Sequence, residues 1–114
     1  MNLIDILIEK RKREDKYFKN HLRWAEEIKK EAQRNLKKVK VYLFGSAVKG
    51  KLGPGSDIDI LIISEELRNP RKRSWVREKI LEKIGRPSPF ELHLITPLEY
   101  RNWYQKFIDK KREI

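Results

Sequence analysis

The sequence contains no cysteine. That excludes a disulfide-stapled scaffold and a thiolate metal site. It has no apolar run near the roughly 20 residues that a membrane-spanning helix needs. The opening stretch, MNLIDILIEKRKRE, lacks the order and the cleavage site of a signal peptide. These absences point to the cytoplasm. Internal repeats and low-complexity tracts are also missing. A chain of 114 residues has room for one small domain, not for a catalytic domain beside a separate binding domain.

Charge, by contrast, is plentiful. Charged residues make up 39% of the chain, and so do hydrophobic ones, which fall in periodic blocks as in a folded protein. The net charge of +11 fits a nucleic-acid partner, an anionic nucleotide, an acidic protein or simply a solvated surface. Basic residues are spread over every helical stretch and mixed with Glu and Asp. That pattern argues against a DNA-binding arm. The Lys-, Glu- and Ile-rich composition also suits a protein from a hot environment.

Periodicity predicts the order α-α-β-turn-β-α-β-α. After an apolar-then-charged first helix, Phe18, Leu22, Ala25, Ile28, Ala32 and Leu36 recur at spacings of three and four. That is the stripe of an amphipathic helix on a core. His21 reads as a helix histidine at the core margin. Val39 to Phe44 is a strand, Lys49 to Ser56 a Gly- and Pro-bearing loop, and Asp57 to Ile63 a second strand. A helix is expected around Ser74 to Ile84, stopped by Gly85 and Pro87. Phe90 to Ile95 alternates in period two. Thr96, Pro97 and Glu99 then open a last helix with a capping box. Its aromatic stripe, Tyr100, Trp103, Tyr104 and Phe107, reads as core, with a partner contact as the alternative. The expected domain is single: helices over about 3–38, a core over 39–96 and a C-terminal helix over 97–112. The fold class is α/β, a small mixed sheet flanked by helices.

The chemistry lies in one run, YLFGSAVKGKLGPGSDIDILII. Asp57 and Asp59 interrupt an apolar strand, where an unpaired charge is expensive. Two residues apart, they point to one face, about 6.5 Å from each other along the backbone. Two carboxylates so placed can converge on divalent cations, and Mg²⁺ prefers such hard oxygens. Glu91 supplies a third acid from a separate strand and a group to take the proton of an attacking hydroxyl. His93 shares the Glu91 face. It reads as a surface or hydrogen-bonded histidine, with a nucleotide contact as the alternative. Gly45 allows close backbone approach, Ser46 and Ser56 offer hydroxyls, and Lys49 and Lys51 offer charge to a triphosphate.

Gly-Ser followed some ten residues later by Asp-x-Asp, here GSAVKGKLGPGSDIDI, resembles the DNA polymerase β-like nucleotidyltransferase superfamily. More closely it resembles the minimal nucleotidyltransferase (MNT) proteins. The resemblance runs from about Val39 to Ile95. It implies a mixed sheet packed against helices, two Mg²⁺ ions, and ATP or another nucleoside triphosphate as substrate. Carried over, Gly45 and Ser46 hold the triphosphate, with Ser56 and Lys49 beside it, and Asp57, Asp59 and Glu91 hold metal. Two residues depart from the common pattern: Lys49 stands where many members carry Arg, and Glu91 where many carry Asp. The resemblance further implies an antitoxin that transfers AMP to a tyrosine of a helical HEPN toxin. A non-catalytic antitoxin and a nucleic-acid-binding module are the alternatives, and a homodimer would suit so small a chain.

Overall fold

A computed structural model describes residues 1–53 and 56–114. Pro54 and Gly55, part of the expected loop, lie outside the described residues. Helix α1 (Leu3–Lys19) is followed by α2 (His21–Asn35), strand β1 (Lys40–Phe44), a 3₁₀ turn at Gly45–Ala47, and β2 (Ile58–Ile63). Then come α3 (Pro70–Ile84), β3 (Phe90–Ile95), α4 (Pro97–Glu99) and β4 (Lys111–Glu113). The four strands form one sheet in the order β3-β2-β1-β4. β1 runs antiparallel to β2 and to β4, whereas β2 and β3 are parallel. The parallel pair requires a crossover, and α3 is that crossover.

One face of the sheet carries the core. Val41, Leu43, Ile58, Ile60, Ile62, Phe90 and Leu94 pack against Ala25, Ile28, Ala32 and Leu36 and against Val76, Ile80 and Ile84. All are buried, as period two on the strands and three-to-four spacing on the helices dictate. Each fully buried aliphatic side chain contributes on the order of 1.5–3 kcal/mol relative to exposure. The C-terminal half of α1 joins this core through Tyr17, whose buried hydroxyl donates to the Ile84 carbonyl at 2.6 Å. The other half of α1 does not: Leu3, Ile4, Ile6, Leu7 and Ile8 are exposed.

Boundaries depart from expectation in four places. The helical stripe is divided at Asn20, so Phe18 belongs to α1, and Leu22 is exposed. Asp57 precedes β2 instead of opening it. α3 begins a turn early, because the Asn69 side chain accepts from the amides of Arg71 and Lys72 and Pro70 takes the first turn. The last helix is the largest correction. Its capping box forms as expected, with Thr96 Oγ1 accepting from the Glu99 amide and the Glu99 carboxylate from the Thr96 amide. After Glu99, however, the chain makes a π-helical turn (Tyr100–Tyr104), and residues 111–113 return as an edge strand beside β1. The aromatic stripe is therefore not core: Trp103 and Phe107 are exposed. No helix among the described residues is long and apolar enough to cross a membrane.

Candidate active site

The second face of the sheet carries a cluster of titratable side chains. Phe44 on β1, Asp59 on β2 and Glu91 and His93 on β3 all project from it. Asp59 faces Glu91 across the parallel ladder and Phe44 across the antiparallel one. Strand alternation explains how β2 serves both faces: Ile58 and Ile60 go to the core, and Asp59 between them goes to the other side.

His93 sits at the centre of this group. Its Nε2 is 3.2 Å from Asp59 Oδ1 and 3.6 Å from Glu91 Oε1. Its Nδ1 is 3.2 Å from the Tyr104 hydroxyl. The imidazole also meets the Phe44 ring edge-on, with centroids 5.1 Å apart. Burial raises the Tyr104 hydroxyl above the ordinary tyrosine pKa, aided by the charges of Glu99 and Glu91, so it stays protonated. Partial burial likewise pushes the Glu91 carboxyl up. His93 opposes that rise, while Asp59 and Asp57 add to it.

Gly45 explains why the turn after β1 carries glycine. Its φ is +72°, and a Cβ there would lie 2.5 Å from Asp59 Oδ2. Both the left-handed backbone and the missing side chain are required, because the Asp59 carboxylate packs into the space a side chain would fill. The turn continues through Ser46, whose carbonyl accepts from the Lys51 amide at 2.9 Å. Ser56 Oγ accepts from the Gly53 amide at 3.2 Å. Lys49 instead reaches away to Asp109, 3.2 Å from its Oδ1.

The donor set suits a divalent cation. Asp59, Glu91 and His93 each offer one ligand atom, and these atoms all lie within 4.8 Å of one another. Two of these residues, Asp59 and Glu91, are the acids singled out by the sequence pattern. The third is the histidine, and Asp57, the other acid of that pattern, lies beside Glu91 at the edge of the group. Asp57 is exposed and acts on the group through Glu91. The reading of His93 as a hydrogen-bonded histidine agrees with its contacts, but its partners Asp59 and Tyr104 were not anticipated. The signal for His93 was its period-two spacing from Glu91. Nothing local in the sequence brings Tyr104 to that histidine.

A mixed four-stranded sheet with helices on one face, a Gly-Ser turn and facing acids on the parallel pair β2 and β3 fits the nucleotidyltransferase class. The chain belongs to the nucleotidyltransferase domain family, whose model matches residues 25–114. The match begins after α1. A crystal structure assigned as a nucleotidyltransferase is 33% identical, with a TM-score of 0.68 over 78% of this chain and 95% of its own. A second such assignment, from Sulfolobus solfataricus, is 23% identical with a TM-score of 0.55, over 94% of this chain and 84% of its own. It supports the fold. No curated protein matches the chain significantly in sequence.

Proposed function

We propose that this single nucleotidyltransferase domain moves AMP from ATP to a hydroxyl, and that the acceptor is a tyrosine on a HEPN-type helical protein in the cytoplasm. The observation that carries the transfer reading is the placement of Asp59 opposite Glu91, with the Gly45 turn closed against Asp59. The acceptor oxygen attacks the α-phosphorus. The bond from that phosphorus to the bridging oxygen of the β-phosphate breaks, and pyrophosphate leaves. The hydroxyl proton passes to the Glu91 carboxylate. Asp57, Asp59 and Glu91 would hold Mg²⁺, which when bound supplies charge neutralisation at the phosphates.

Gly45, Ser46 and Ser56 border the phosphate position, with backbone amides and hydroxyls for its oxygens. Lys49 has an exchangeable partner. Its pair with Asp109 is exposed, so it contributes little and can give way to a triphosphate. Trp103 and Phe107, exposed one and three residues from Tyr104, offer an aromatic rim for a protein acceptor.

The test is incubation with labelled ATP, Mg²⁺ and a HEPN-type protein encoded beside this chain, in parallel with Asp57→Asn/Asp59→Asn. Label on the partner with wild type alone is the expected result. A folded protein that neither labels the partner nor binds ATP in a Mg²⁺-dependent way overturns the enzyme reading. Steeply salt-dependent RNA or DNA binding that survives the double substitution would replace it with the nucleic-acid module.

A further inference from the structure

The acidic pair is joined by a nitrogen donor, and the packing around that nitrogen resembles a ligand's and not a bystander's. We propose that His93 Nε2 is a direct ligand of the divalent cation, which shifts this site from Mg²⁺ toward first-row transition cations. The inference rests on the metal-dependent transfer reading and deepens it.

Spacing is the first argument. Neighbouring donors on one octahedral cation, at bond lengths of about 2.1 Å, sit about 3 Å apart. His93 Nε2 lies 3.2 Å from Asp59 Oδ1 and 3.6 Å from Glu91 Oε1. The two nitrogen-to-oxygen distances need to close by only a few tenths of an ångström, and all three donor atoms lie within 4.8 Å of one another. The second argument is the far side of the ring. A metal-bound histidine donates its other N–H to an outer partner, which fixes both tautomer and orientation. Here Nδ1 is 3.2 Å from the Tyr104 hydroxyl, and that oxygen has lone pairs to accept the proton. With the proton on Nδ1, the Nε2 lone pair faces the two carboxylates. Phe44 and Tyr104, both edge-on to the imidazole, hold the ring in that orientation.

The third argument is chemical. Mg²⁺ favours an all-oxygen shell and gives up water reluctantly, whereas imidazole suits the transition ions. One nitrogen beside two carboxylate oxygens moves preference in that direction. Mn²⁺ is the useful probe, because it accepts the same geometry as Mg²⁺ and is paramagnetic.

The experiment loads the full chain with Mn²⁺ alone and records electron spin-echo modulation from ¹⁴N, with dissociation constants for Mn²⁺ and Mg²⁺ measured in parallel. Wild type is expected to show a directly coupled nitrogen. His93→Gln should lose it and bind Mn²⁺ about 10-fold more weakly, with Mg²⁺ affinity changed far less. Tyr104→Phe removes only the outer acceptor, so it should weaken Mn²⁺ and keep the nitrogen signal. An oxygen-only spectrum in wild type overturns this proposal and leaves the transfer reading standing. No Mn²⁺ or Mg²⁺ binding, with or without ATP, overturns both. The wild-type spectrum requires no variant to fold, so the decisive outcome does not depend on one.

Discussion

The two faces of the sheet are built from the same strands and obey different rules. On the helix-covered face, Ile58, Ile60, Ile62 and Leu94 are sealed under α2 and α3, and nothing polar is needed. On the opposite face, Asp59, Glu91 and His93 lie only partly covered, held by one another, by Phe44 and by Tyr104. The first face provides the stability that lets the second keep like charges close together, an arrangement that costs free energy on its own.

The contrast predicts that substitutions on the two faces separate function from stability. Asp59→Asn should lower nucleotidyl transfer by about 10³-fold, equivalent to about 4 kcal/mol, while urea unfolding moves by less than about 1 kcal/mol. Loss of folding together with activity would dissolve the distinction. Ile60→Ala, one residue along, should cost about 3 kcal/mol of stability through the cavity it leaves, read from the same urea midpoints. Gly45→Ala joins the faces, since it strains the backbone and presses on Asp59. It should cost about 2 kcal/mol and reduce activity at temperatures where the variant is folded. Glu99→Gln tests how the cover of the active face is anchored. The Glu99 carboxylate takes two hydrogen bonds from Arg73 on α3, at 2.7 and 3.2 Å. Those bonds hold its pKa below the ordinary 4.5. The stability it contributes is therefore present above that value and lost as pH falls through the lowered one. Because the pair is partly exposed, the loss should stay below about 1 kcal/mol, and thermal melts from pH 7 to 3 would show wild type and variant converging.

The same division sets what was legible in the sequence. The core face follows from periodicity, so β1, β2, β3 and the buried sides of α2 and α3 could be read directly. Asp59, Glu91 and Gly45 were legible because carboxylates in an apolar strand and a glycine after one are locally anomalous. The last helix was misread because Tyr100, Trp103, Tyr104 and Phe107 have helical spacing. What ends it is tertiary: residues 111–113 find the open edge of β1, and Lys111 bonds the Tyr100 hydroxyl at 2.8 Å. The partners of His93 were hidden for a related reason. Asp59 and Tyr104 are 34 and 11 residues away, and only the register of β2 on β3 and the π-turn bring them to it.

The contact between Gly45 and Asp59 carries a consequence for how this chain tolerates change. The two positions form one steric locus, so their substitutions should not add. Alanine at 45 displaces a carboxylate, but after Asp59→Ala there is no carboxylate left to displace. A thermodynamic cycle over the two sites should then return a coupling on the order of 1 kcal/mol, leaving the left-handed backbone strain as the part of the Gly45 effect that persists. A sequence drifting at Gly45 alone meets a barrier that a change at Asp59 would partly remove.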